Sequence, residues 1–92
     1  MNLPTETFGN VIVVHSPEEL GADQAEEFES FMRCLSLAQI VLDMDRTETL
    51  DSGGLEALLD VHDMLLERGG DMKIATGNAM NRKILEITRL DQ

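Results

Sequence analysis

Short apolar runs alternate along the chain with longer segments in which apolar residues recur every three or four positions. The runs VIVVH, QIVLDM and DMKIAT are rich in β-branched and other aliphatic residues, which predicts strands covered on at least one face. Gly9-Asn10, just before the first run, predicts a turn that joins an earlier short strand to it as a hairpin.

The segments between these runs have helical spacing. A first helix is predicted after Asp23, whose side chain can cap its start. Its apolar positions fall on one face: Phe28, Phe31, Met32 and Leu35.

The longest helical pattern follows the predicted loop DRTETLDS and stops at Gly69-Gly70. We expect its core-facing side to hold Leu55, Leu58, Leu59, His62, Leu65 and Leu66. GNAMNRKILEITRL predicts a third helix. The order strand, helix, strand, helix, strand, helix predicts an α/β fold with right-handed crossovers and a large parallel component.

The longest helix also has a narrower apolar stripe, which we expect on the side opposite its core-facing leucines. This stripe consists of Ala57, Val61 and Met64, and acidic residues flank it. One interpretation is that these are scattered surface apolar residues. The alternative is a partner interface, in which the flanking acids form a rim that selects a basic surface.

The length of 92 residues suits one small domain. Only three aromatic residues are present, so the core is expected to be aliphatic. Cys34 is the single cysteine, which excludes an intramolecular disulfide and favours a reducing cytoplasm. The N-terminal residues do not resemble a signal peptide, and no apolar run approaches the roughly 18 residues that span a bilayer. We therefore expect a cytoplasmic protein.

The formal net charge is −11. Such a charge repels nucleic-acid phosphates and anionic membranes, so neither is expected as a partner. Neutral or basic protein surfaces remain the expected partners.

Catalysis and metal binding are both weakly supported. Leu50 stands where a nucleophile elbow around Ser52 would need glycine, and His62 is predicted to be a partly buried, hydrogen-bonded side chain of the leucine face. The acids in DMD and ETLD could in principle hold a hard cation, but neither EF-hand spacing nor a phosphate-binding glycine loop is present. Solvated loop acids are the simpler interpretation, so no cofactor and no metal are predicted.

Ser52 stands at the start of the longest helix, between Asp51 and two glycines. The simplest role for its hydroxyl is an N-cap that accepts from the amide of Gly54 or Leu55. The two glycines suggest that this site has a role beyond capping, because each lowers the stability of a helix by up to about 1 kcal/mol relative to alanine. We expect them to leave open space and free amides, so that a phosphate on Ser52 could accept from the N–H groups of Gly53 and Gly54.

The segment from Ile40 to Leu90 resembles the STAS domain, the fold of anti-sigma factor antagonists and of the cytoplasmic tails of sulphate transporters. The most specific motifs are LDSGGLEALL, GGDMKIA and KILEITRLD. The resemblance implies one domain over residues 1–92, with a mixed sheet of four to five strands and about three helices packed mainly on one face. Relatives commonly carry a second serine where this chain has Gly53.

In antagonists of this family, the serine after the aspartate is phosphorylated by a partner kinase that is also the anti-sigma factor. That serine corresponds to Ser52. The resemblance implies that the chain is not an enzyme. It would bind a histidine-kinase-like anti-sigma factor when unphosphorylated, be released when Ser52 is phosphorylated, and be restored by a phosphatase. The predicted partner-binding residues are Asp51, Ser52, Gly53, Gly54, Ala57, Val61 and Met64.

A second hypothesis is a small STAS subunit docked on a lipid-transport ABC ATPase. The loop at Ser52 would then be an interface that is not phosphorylated.

Overall fold

The computed structural model describes residues 1–77 and residue 83. The strands are β1 (Thr5–Phe8), β2 (Val11–His15), β3 (Glu19–Leu20), β4 (Gln39–Asp43), β5 (Thr49–Leu50) and β6 (Asp71–Ala75), and the helices are α1 (Ala22–Arg33) and α2 (Ser52–Glu67). The predicted third helix lies outside the described residues, apart from Lys83.

The main sheet is mixed, with the strand order β1-β2-β4-β6. Strand β1 is antiparallel to β2, whereas β2, β4 and β6 are parallel to one another. The hairpin predicted at Gly9-Asn10 and the three predicted strands are therefore confirmed. A second sheet, which the sequence analysis did not predict, consists of the parallel pair β3-β5.

One face of the main sheet forms one side of the hydrophobic core. Ile12, Ile40 and Met72 are register partners across β2, β4 and β6, and all three are buried. Because side chains alternate along a strand, the next inward row comes two residues later, where Val14 lies beside Leu42. Helices α1 and α2 pack against each other and contribute six further core residues: Phe28, Met32, Ala57, Leu58, Val61 and Leu65. Leu20 of β3 and Met44, which follows β4, complete the core.

The predicted face of α2 is partly wrong. Ala57 and Val61 are buried, with 2% and 1% of their surface exposed, so they belong to the core and not to an exposed stripe. Leu59 and Leu66 were expected in the core but are 38% and 50% exposed. The apolar residues of α2 extend around most of the helix, so the position of the sheet and of α1 decides which of them are covered.

The predicted N-cap of α1 is also wrong. The helix begins at Ala22 with Gly21 as its N-cap, and Asp23 lies within the first turn. Gln24 Oε1 accepts from the Gly21 N–H at 2.9 Å. Gly21 has no side chain that could bond the helix amides, and the residue just before α2 supplies that bond.

Candidate functional site

The small β3-β5 sheet brings the starts of the two helices together. Strand β3 leads through Gly21 into α1, and β5 leads through Asp51 into α2. The backbones of Leu20 and Leu50 are register partners in this sheet, so the two exits lie side by side. The candidate site is the junction of these two helix starts, with Ser52 as the first residue of α2.

Asp51 caps both helices. Its Oδ1 accepts from the Gly54 N–H at 2.9 Å, which caps α2, and its Oδ2 accepts from the Ala22 N–H at 3.3 Å, which caps α1 from outside. These bonds, the one from Gly54 first, hold the pKa of the Asp51 carboxyl below its usual value because they favour the charged form. The predicted N-cap role of Ser52 is therefore wrong, since the aspartate before it takes that position.

The two glycines after Ser52 allow close packing and do not leave open space. A Cβ atom at Gly53 would lie 2.6 Å from the Cα of Ala22, and one at Gly54 would overlap the carbonyl oxygen of Leu20. A Cβ atom at Gly21 would similarly lie 2.7 Å from Asp51 Oδ2. The glycines therefore let the start of α2 fit against the β3-to-α1 connection, which corrects the expectation drawn from the sequence.

Ser52 is exposed on the outer side of this junction. The structure brings Asp51, Ser52, Gly53 and Gly54 together, and of the four only Gly54 is fully buried. The N–H of Gly54 already donates to Asp51, so a phosphate on Ser52 would have to compete for it. Met64 is half-buried against the core, so the predicted stripe has no fully exposed member.

Both histidines lie in the described part of the chain, each is paired with a carboxylate, and neither is hydrogen-bonded to Ser52. His62 is half-buried, and its Nε2 lies 3.1 Å from Asp71 Oδ1, which confirms the prediction of a partly buried, hydrogen-bonded side chain. It lies ten residues along α2 from Ser52, or about 15 Å of helix. His15 Nδ1 pairs with Asp43 Oδ2 at 3.0 Å on the main sheet. The geometry does not support a serine nucleophile at this position.

The acids considered as cation ligands hold the backbone of loops instead. Asp43 Oδ1 accepts from the Asp45 N–H at 2.9 Å, and Asp45 Oδ1 accepts from the Gly77 N–H at 2.6 Å. Within residues 1–77 and residue 83, no three His, Cys, Asp or Glu side chains are grouped so as to hold a metal ion.

A line of exposed residues on α2 was not predicted from the sequence. Ser52, Leu59 and Leu66 are all exposed and are separated by seven residues, which is close to two helical turns. The seven-residue spacing is visible in the sequence. It was obscured because both leucines also fit the pattern of the predicted core face.

A family model identifies the family of this chain, and several solved structures share its fold. The family model described as STAS domain matches residues 2–92. A crystal structure of a putative anti-sigma factor antagonist from Thermotoga maritima superposes with a TM-score of 0.81 at 20% identity, covering 97% of this chain and 80% of that one. An anti-sigma factor antagonist from Mycobacterium paratuberculosis gives 0.81 at 24% identity, with 98% and 79% covered.

The Bacillus cell fate determinant SpoIIAA in its phosphorylated form gives a TM-score of 0.76 at 17% identity, with 97% of this chain and 85% of that chain covered. A search of curated protein sequences gave no match. Neither of the two described helices combines the length and apolarity that a membrane span requires.

Proposed function

The chain belongs to the STAS domain family, and from that premise we propose that it is an anti-sigma factor antagonist that works by partner switching. Unphosphorylated, it binds a histidine-kinase-like anti-sigma factor in the cytoplasm and so frees the sigma factor. Phosphorylation of Ser52 ends this contact, and a phosphatase restores it. The chain is a substrate and a binding partner, and the kinase contributes ATP and magnesium.

The observation that carries the proposal is the position of Ser52. Its side chain is exposed on the first residue of a rigid helix, where a kinase can reach the hydroxyl without unfolding the chain. Thr49 is also exposed, but it belongs to the paired strand β5, and Thr47 is buried with its hydroxyl donating to the Pro17 carbonyl at 2.7 Å. Ser52 is thus the best-presented acceptor of this loop.

The effect of the phosphate follows from Asp51. A phosphate adds about −1.5 to −2 charges, and it would stand beside a carboxylate that already occupies the amides of Ala22 and Gly54. The new charge therefore gains little compensation within the fold and is directed toward the partner. It would repel an acidic partner surface opposite Ser52, and this repulsion would favour release.

The test is mass spectrometry of the chain after incubation with its cognate kinase and ATP. We expect one phosphate, located on Ser52, and none on the Ser52→Ala variant. Calorimetry should then show that phosphorylated protein binds the kinase more weakly than unphosphorylated protein. A phosphate on Thr49, or equal affinities of the two forms, would contradict the proposal.

A further inference from the structure

We propose that two copies of this chain associate through the outer face of the main sheet, the side that points away from α1 and α2. We define this outer face by the outward-pointing side chains of β1, β2, β4 and β6, with Glu6, Val13, Val41 and Lys73 as its middle row. The inference goes beyond the proposed function and does not depend on it. Ser52 starts a helix that packs on the opposite side of the sheet, so it stays accessible in such a pair.

The middle of the outer face is apolar and only partly covered. Val13 and Val41 are register partners in the β2-β4 pair, and both are half-buried, whereas Ile12 on the inner side is 6% exposed. Phe8, at a corner of the same face, is 61% exposed. Both described helices contribute their apolar residues to the core on the inner side. A second sheet placed on the outer face would therefore bury apolar surface that the described part of the chain leaves in water.

The charge of the chain restricts where two copies can meet. The formal net charge is −11, so two copies repel each other unless the surfaces in contact are nearly neutral. Helices α1 and α2 each contain four acidic residues and have a single Arg between them. On the outer face, acids are paired within the chain: His15 Nδ1 lies 3.0 Å from Asp43 Oδ2, and Lys73 Nζ lies 3.3 Å from Asp71 Oδ2. The outer face therefore opposes association less than the helix side does.

The middle row is also complementary to itself. Glu6 lies on the edge strand β1 and Lys73 on the edge strand β6, with Val13 and Val41 between them. A two-fold axis parallel to the strands places each β1 over the β6 of the other copy, and each β2 over the other β4. Glu6 of each copy then faces Lys73 of the other, and the valines face one another. The strands of the two sheets stay roughly aligned, which is a common arrangement of packed sheets.

The size of the outer face predicts a weak pair. Four strands spaced by about 4.8 Å, with about 3.3 Å per residue along each strand, give a face of about 19 by 17 Å. Contacts of this size are below the roughly 800 Å² per partner that a stable complex buries, and they belong to the transient class. We therefore expect single chains at low protein concentration and pairs at high concentration.

The experiment measures molecular mass by sedimentation equilibrium over a wide range of protein concentrations. Glu6→Lys brings two lysines opposite each other and Lys73→Glu brings two glutamates, so each variant should weaken self-association about tenfold or more. An equimolar mixture of these two variants should recover the pairs, because each then meets the opposite charge on the other. The matched control is Asp63→Lys on α2, which changes the net charge as Glu6→Lys does and should not weaken self-association. Urea unfolding of each variant checks that the fold is intact.

Methyl NMR signals provide a second measurement. The signals of Val13 and Val41 should shift with protein concentration, whereas that of the core residue Val61 should not. A chain that stays single at every concentration would overturn the proposal, as would variants that associate like the wild type or a mixture that does not recover the pairs. Pairs that form without shifting the Val13 and Val41 signals would place the contact on another surface, which would also overturn it. None of these measurements involves the kinase, so failure here leaves the proposed function standing.

Discussion

Replacing Gly54 with alanine separates what local helix preference predicts from what the tertiary structure predicts. Alanine is favoured over glycine inside a helix by about 1 kcal/mol, so preference alone predicts a more stable protein. In the structure, a Cβ atom at this position would overlap the Leu20 carbonyl oxygen, lie 2.7 Å from its carbon and lie 3.2 Å from Leu50 Cδ1. The Leu20 backbone belongs to the β3-β5 pair and cannot move without disturbing that sheet.

Overpacking of this kind costs about 1–3 kcal/mol, and a clash with backbone belongs at the upper end of that range. After subtracting the gain of about 1 kcal/mol in helix preference, we expect Gly54→Ala to lower the free energy of unfolding by about 2 kcal/mol. For a domain of this size that corresponds to a fall in Tm of roughly 8–16 °C.

The assay is urea unfolding followed by circular dichroism at neutral pH. The control is Asp63→Ala on the exposed side of α2, which gains helix preference without any clash and should be neutral or slightly stabilising. A Gly54→Ala protein that is more stable than the wild type would refute the close approach of α2 to Leu20.

Three further predictions address packing and charge. Leu58→Ala, at a fully buried position, should lower the free energy of unfolding by about 2–5 kcal/mol in urea titrations, whereas Leu66→Ala, at a half-exposed one, should cost at most about 1 kcal/mol. Burial and a hydrogen bond to Asp60 raise the pKa of Glu29 above its ordinary 4.5, so ionisation of Glu29 disfavours the folded state. Glu29→Gln should therefore raise the Tm at pH 7. Melting curves should show this gain vanish as the pH falls below the pKa that Glu29 has in the unfolded chain. Ser16→Ala should leave the Tm unchanged or raise it, because the buried Ser16 hydroxyl has no hydrogen-bond partner among the described residues. A lower Tm would indicate that this hydroxyl does have a hydrogen-bond partner.

The sequence by itself determined the features that depend on near neighbours along the chain. The apolar runs VIVVH and QIVLD predict strands, and the period of two in side-chain direction groups Ile12 with Val14 and Ile40 with Leu42, while the structure shows that these pairs are the buried ones. The hairpin turn and the end of α2 were equally predictable, since Gly69 at φ +80 takes the left-handed conformation that helix ends favour. The loop containing Ser52 was identified in the same way, from its motif.

The tertiary structure decided which of several locally acceptable options is used. Asp51 and Ser52 are both good caps, and Asp51 takes the role because its carboxylate can also reach Ala22, which is 29 residues earlier in the chain. Leu58 and Leu59 are equally apolar, and only the placement of α1 and the sheet buries the first and exposes the second. The tertiary structure also explains the two glycines after Ser52. A side chain at either position would collide with Leu20 or Ala22, which lie about 30 residues earlier in the chain, so the local sequence does not predict this contact.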